Sequence, residues 1–219
     1  MSDLKTLIKP IEAVLFDMDG TIVNTEPLHA KASVIVLKDL GIDIDLESCL
    51  DQFYGMTDTN VLKTTCPTLN DSEIEKAIAE KNIHLIKLFQ KLSRAEKEQY
   101  TTPGLFDFLK FLKKENKRMA VVSASEDIIV RETLQCFEIH SYIELQMGRH
   151  QTNLTKPHPE PYLEGMRRLK AEPSKTLIFE DSPTGLESAL ASGAKVIRIT
   201  GFAHSDKVLH THERKNFLF

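Results

Sequence analysis

The sequence predicts an α/β protein: a doubly wound, mostly parallel sheet with an all-helical domain inserted after its first strand. Two patterns carry that expectation. Short apolar runs alternate with amphipathic segments along most of the chain, the sequence form of strand, helix, strand. From about Glu26 to Gln99 the alternation stops, and the chain reads helical almost throughout with no convincing strand.

The first strand is Ala13 to Phe16, four apolar residues followed by Asp17-Met18-Asp19-Gly20-Thr21. Side chains two positions apart point the same way while the chain is extended, so Asp17 and Asp19 look into one crevice. Gly20 allows a sharp turn there, and Thr21 sets a hydroxyl beside it. Adjacent carboxylates repel, so this pair wants a cation, a shared proton, or both. A plain Asp/Gly turn is the structural alternative.

The insert opens with Pro27 in a helix's first turn, and Leu28, Ala32, Ile35 and Val36 recur at helical spacing. Ile74, Ala77, Ile78, Ile83, Ile86 and Leu88 outline a second long helix, with Asn70-Asp71-Ser72 as candidate caps. Residues Tyr100 to Gly104 form the expected return hinge, and the insert is expected to act as a lid. Further strands follow at Met119 to Val122, weakly at Ile143 to Met147, then at Thr176 to Phe179 and Val196 to Ile199. Helices are expected over Leu105 to Lys114, Ile128 to Phe137, Pro159 to Leu169 and Thr184 to Ser192.

Three more strand ends or loops carry polar groups. Val121-Val122-Ser123-Ala124-Ser125 delivers a hydroxyl to the start of a helix, whose amides favour an anion; a serine cap is compatible with that. Leu177 to Ser182 delivers Glu180 and Asp181 to the same edge as Asp17. Thr155-Lys156-Pro157-His158-Pro159 fixes the exit direction of a lysine between prolines. Ligands of such sheets bind beyond the carboxyl ends of the strands.

A length of 219 residues suits one large domain, or a core with a smaller insert, and a net charge of −4 gives no attraction for nucleic acid or an anionic membrane. The three cysteines, Cys49, Cys66 and Cys136, are scattered and fit unpaired thiols in a reducing compartment. No apolar run approaches the length of a bilayer span, and a cytoplasmic protein is expected. Lys113-Lys114 and Arg167-Arg168 read as solvated helix faces, and His204, His210 and His212 as surface residues.

Asp17-Met-Asp19-Gly-Thr21, Ser123, Lys156 and Glu180-Asp181, in that order, resemble the haloacid dehalogenase superfamily. The phrases Phe16-Asp-Met-Asp-Gly-Thr-Ile-Val-Asn-Thr-Glu-Pro-Leu-His29, Lys156-Pro-His-Pro-Glu-Pro and Glu180-Asp-Ser-Pro-Thr-Gly185 are similar to its β-phosphoglucomutase-like phosphatases. The resemblance implies a Rossmann-like catalytic core over 1–23 and 101–219 and a helical cap over 24–100. It implies a Mg²⁺-dependent phosphatase of sugar, polyol or nucleoside monophosphates, acting as a monomer on a small phosphomonoester.

By that resemblance Asp17 is the nucleophile that becomes an aspartyl phosphate, and Asp19 is the acid that then serves as base. Asp17, the Asp19 carbonyl and Asp181 bind the metal, with Glu180 close by. Thr21, Ser123, Ala124 and Lys156 line the phosphate site, and His29, Gly55 and Thr57 belong to the cap's share. His29 either positions Asp19, senses cap closure, or simply packs. The second aspartate separates phosphoryl transfer from dehalogenation, because a halide needs no proton on leaving. Mutases of this group grip a second phosphate with Arg, Lys and Asn. Asp58, Glu126 and Asp127 stand at the matching positions, and acids facing a phosphate dianion repel it. Hydrolysis is therefore favoured over a β-phosphoglucomutase-type transfer. A phosphoacceptor switch and a catalytically silent regulatory relative are the remaining alternatives; receivers of the first kind are shorter and have no cap.

Overall fold

The computed structural model of the chain describes residues 4–53, 56–202 and 212–218. Six parallel strands form one sheet in the order β3-β2-β1-β4-β5-β6: β1 (Ala13–Phe16), β2 (Arg118–Val122), β3 (Leu145–Met147), β4 (Thr176–Glu180), β5 (Lys195–Ile199) and β6 (His212–Arg214). This is a doubly wound sheet, and its winding reverses between β1 and β4, where a ligand crevice forms above the strand ends.

The central strands are apolar without interruption because helices cover both faces. On one face Val14's neighbour Phe16 stacks on its register partner Phe179 at 5.4 Å between centroids, and Phe108 and Phe217 close the aromatic cluster. Phe108 comes from α7 (Leu105–Lys114), whose Leu105, Leu109 and Leu112 are buried at the same helical spacing. On the other face Ala13, Leu15, Ala120, Val122 and Ile178 pack against Tyr162, Met166 and Leu169 of α9 (Glu160–Arg168) and its end, and against Leu186 and Ala189 of α10 (Pro183–Ala191). Side-chain alternation puts Asp17 and Glu180 on this second face, in step with Leu15 and Ile178. The remaining helices of this unit are α1 (Leu4–Ile8), α6 (Arg94–Tyr100) and α8 (Asp127–Cys136).

The chain forms two compact units, 1–24 with 95–219, and 25–94. The second unit is helical: α2 (Glu26–Asp39), α3 (Leu46–Phe53), α4 (Asp58–Thr65) and α5 (Asp71–Lys91). Asn70 caps α5 in a reciprocal capping box with Glu73, as a polar residue before an apolar stripe should. The buried stripe of α5 runs through Ile74, Ala77, Ile78, Lys81, Asn82, Leu85 and Phe89. Ile83, expected within the stripe, is instead exposed: it follows Lys81 and Asn82 around the helix and falls on the outer face. Ile35 is likewise exposed on α2. The three cysteines are free thiols. No described helix is long and apolar enough to cross a membrane.

Candidate active site

The ends of β1, β2 and β4 lie side by side, and the site grows from them. Past Phe16 the chain leaves the sheet after one more ladder bond, from Asp17 N–H to the Phe179 carbonyl at 2.9 Å. It then wraps the Met18 carbonyl, which accepts from the N–H groups of Thr21, Ile22 and Val23. Gly20 makes this wrap possible twice over. Its φ is +85°, and a Cβ there would stand 2.2 Å from Asp181 Oδ2. Thr21, fully buried, donates to Asp181 Oδ1 at 2.9 Å, which ties the β1 loop to the end of β4.

Lys156 links the two strand ends. Its ammonium, almost wholly buried, donates to Asp17 Oδ1 at 2.6 Å and to Glu180 Oε1 at 2.7 Å. Glu180 is inaccessible and takes further donors: the Tyr162 hydroxyl on Oε1, and the Asp181 N–H, Ser182 N–H and Ser182 hydroxyl on Oε2. Ser182 in turn caps α10 by accepting from the Gly185 N–H. Gly185 lets the helix approach, since a Cβ would fall 1.6 Å from Glu180 Oε1.

At the end of β2, Ser123 continues the ladder to the Met147 carbonyl, and its hydroxyl accepts from the Ser125 N–H at 3.0 Å. The hydroxyls of Ser125 and Ser123 both meet Asp19 Oδ2, at 2.9 and 3.4 Å. Ala124 between them is exposed. Asp17, Asp19, Thr21, Ser123, Lys156, Glu180 and Asp181 are thus gathered at one crevice, as the motif order anticipates.

Electrically the crevice is short of positive charge. Burial pushes the Asp17 carboxyl up to about 8; Lys156 pulls against that shift, while Glu180 and Asp19 add to it. Asp181 is likewise raised, by burial and then by Glu180 and Asp17. Burial alone would lower the Lys156 pKa, but the Asp17 and Glu180 carboxylates outweigh it and hold the ammonium charged. Asp17, Glu180 and Asp181 each offer an oxygen within 4.8 Å of the others, a cluster able to hold a divalent metal. An all-oxygen, carboxylate-rich donor set fits a hard cation.

The helical unit treats its residues differently. Lys81, on the buried stripe of α5, donates to both oxygens of Asp58 and to His29 Nδ1, all at 2.8 Å. Because an ammonium can only donate, His29 accepts at Nδ1 and carries its proton on Nε2. Thr57 caps α4 by accepting from the Asn60 N–H. Gly55, His204 and His210 lie outside the described residues.

Asp58, Glu126 and Asp127, the acids at the positions matching the mutase grip, each have partners in the structure. Asp58 is bound by Lys81. Glu126 pairs with Arg149 and His150, and Asp127 accepts from the Gly148 N–H and the Gln151 amide. Each is engaged within its own unit. Sequence reasoning treats Ser125 only as a candidate helix cap and does not single out Tyr162 or Lys81. Lys81 had a signal, a charge on the apolar stripe between Ile78 and Leu85. Tyr162 had none, since an inward aromatic on a helix reads as core.

A parallel sheet with acids, a buried lysine and a hydroxyl at its switch point is an arrangement suited to phosphoryl chemistry. The model of the haloacid dehalogenase-like hydrolases matches residues 14–199, and the chain belongs to that family. The phosphorylated carbohydrates phosphatase of Thermotoga maritima is 30% identical over 199 residues, covering 89% of this chain and 87% of that protein. Hexitol phosphatase B of Escherichia coli is 25% identical over 195 residues, covering 86% and 83%. The crystal structure of CbbY from Rhodobacter sphaeroides in complex with phosphate shares the fold, with a TM-score of 0.81 at 22% identity over 94% of this chain and 95% of that one.

Proposed function

We propose that this chain is a Mg²⁺-dependent phosphatase of small sugar, polyol or nucleoside monophosphates, working through an aspartyl phosphate on Asp17. The observation that carries the reading is the convergence of Asp17, Lys156, Glu180 and Asp181 on one crevice, with Asp19 and Ser123 beside them. The names of the Thermotoga and Escherichia relatives point to the carbohydrate and polyol side of that range.

An Asp17 carboxylate oxygen attacks phosphorus as the bond from phosphorus to the ester oxygen breaks. Asp19 donates a proton to the departing alkoxide. It then takes a proton from water, whose oxygen attacks the acyl phosphate and frees inorganic phosphate and Asp17. Splitting the displacement in two lowers each barrier. Lys156 and Ser123 hold the equatorial oxygens, where charge must be stabilised as the phosphoryl group passes. Asp17, Asp181 and the Asp19 main-chain carbonyl would hold the Mg²⁺, which would supply the counter-charge a phosphate dianion needs beside a carboxylate. Thr21 keeps Asp181 in place for that task, and the hydroxyls of Ser125 and Ser123 orient the Asp19 carboxylate for proton transfer.

Hydrolysis rather than mutase chemistry is favoured because Asp58, Glu126 and Asp127 stand where a mutase carries Arg, Lys and Asn, and the cations beside Asp58 and Glu126 are already paired with those acids. The test is phosphate release from a broad panel of monoesters, β-glucose 1-phosphate included, with Mg²⁺ and with EDTA. Metal-dependent release from one chemical group of substrates supports the reading and names the group. Conversion of β-glucose 1-phosphate to the 6-phosphate without release would replace it with the mutase.

A further inference from the structure

Resting on the phosphatase reading, we propose that Tyr162 is a positioning residue for phosphate binding: its hydroxyl fixes Glu180 while its ring supports the ammonium of Lys156. Tyr162 is fully inaccessible on α9, within the apolar layer that contains Leu15, Val122 and Met166. Core packing accounts for the ring, and a phenylalanine would fill that space equally well. It does not account for the hydroxyl. A buried O–H requires an acceptor, and this one lies 3.0 Å from Glu180 Oε1, the same oxygen that accepts from Lys156.

The arrangement is a three-way lock. Lys156 Nζ stands 4.8 Å from the Tyr162 ring centroid, within range of the ring's negative face. Glu180 Oε2 is taken up by the main chain of 181 and 182 and by the Ser182 hydroxyl, so Oε1 is the oxygen that divides between the phenol and the ammonium. Sharing Oε1 with the phenol weakens the hold of Glu180 on Lys156. Among the described residues the ammonium spends two N–H bonds, on Asp17 and Glu180, and the third is the one for a phosphoryl oxygen. Without the hydroxyl, Oε1 bonds Lys156 alone and draws it away from the phosphate.

The experiment is calorimetric titration of inorganic phosphate into the full chain at saturating Mg²⁺, for wild type, Tyr162→Phe, Lys156→Met and the double variant. Loss of one charge-assisted hydrogen bond in this lock should weaken phosphate binding roughly tenfold in Tyr162→Phe. The Mg²⁺ concentration for half-saturation and the Tm should stay near the wild-type values. In the Lys156→Met background Tyr162→Phe should add nothing, because its route to phosphate is gone. Unchanged phosphate affinity in Tyr162→Phe, or effects that simply add in the double variant, would overturn the proposal. So would a raised Mg²⁺ requirement with normal phosphate affinity at saturation, which would assign the hydroxyl to the metal carboxylates instead. A wild type that binds no phosphate with Mg²⁺ would overturn the phosphatase reading itself, and this inference with it.

Discussion

Among the described residues each unit of the molecule holds a buried lysine among polar partners, and the two lysines do opposite things. Lys81 in the helical unit meets one carboxylate, Asp58, and one imidazole, His29. There one ammonium meets one carboxylate. Lys156 in the sheet unit meets Asp17 and Glu180 with Asp181 close by, so one ammonium serves three carboxylates. The raised pKa values of Asp17 and Asp181 express the same shortage, since burial and the neighbouring carboxylates disfavour their charged forms. A buried carboxylate with its own ammonium is already compensated, whereas carboxylates in excess leave room for a further cation.

The largest expected effect comes from relieving that imbalance directly. Asp17→Asn removes the proposed nucleophile, and turnover should fall by about 10⁴-fold or more, measured as phosphate release. The same change should stabilise the metal-free protein at alkaline pH. The folded Asp17 value of about 8 lies above its unfolded value of 3.8, so the native state binds the extra proton between them. Metal-free wild type therefore loses stability as pH rises from about 4 towards 8, and Asp17→Asn escapes that loss. Thermal melts in EDTA at pH 5 and pH 8 check the sign. A variant less stable than wild type at pH 8 would mean that Lys156 already satisfies the crevice.

Replacing each lysine by methionine sharpens the contrast. Lys81→Met leaves Asp58 without its buried partner and should cost about 3 kcal/mol, equally with Mg²⁺ and with EDTA. Lys156→Met should cost a similar amount in EDTA at pH 8, and Mg²⁺ should restore much of it because a second cation can serve the same carboxylates. Urea midpoints for both variants, with and without metal, distinguish the two sites. Equal rescue of Lys81→Met by Mg²⁺ would erase the distinction drawn between them.

Most of the sheet was legible because buried parallel strands are continuous apolar runs, and Ala13 to Phe16 or Thr176 to Phe179 have no other good reading. β6 was not, since its three polar residues join the sheet through backbone bonds to β5 that side-chain patterning does not record. The acids and Ser123 were legible because each follows a recognisable strand end. Their partners were harder. Pairing between Lys156 and Tyr162 depends on α9 lying over β1 and β2, a tertiary fact. The misreading of Ile83 has a local cause: Lys81 and Asn82 occupy the inward face, so hydrophobicity alone pointed to the wrong side of α5.

Gly185→Ala tests how tightly the sheet-unit cluster is built. Its Cβ would fall 1.6 Å from Glu180 Oε1, and Glu180 has no room to yield because both oxygens are held from several sides. The substitution should cost about 2 kcal/mol by overpacking, and it should weaken phosphate binding as Glu180 shifts. Chemical denaturation measures the first and calorimetry the second. A stable variant with normal affinity would mean that α10 can slide without disturbing the carboxylate.

The smallest effect comes from a second unbalanced cluster, one at the surface. Glu164 on the outer side of α9 accepts from Arg167 at 2.6 Å and from Arg168 at 2.7 Å, two guanidiniums on one carboxylate. Hydrogen bonds from Arg167 and then Arg168 lower its pKa from 4.5 to about 2. Its contribution to stability is therefore present above pH 4.5 and disappears as pH falls towards 2. Solvent screening keeps that contribution small despite the shift, and Glu164→Gln should cost about 0.5 kcal/mol at neutral pH. The cost should shrink in 1 M salt and vanish near pH 2, with phosphate release unchanged. Imbalance of charge thus makes a site only where water is excluded: a Glu164→Gln variant that lost several kcal/mol, or changed the response to Mg²⁺, would show that surface and crevice obey the same electrostatics after all.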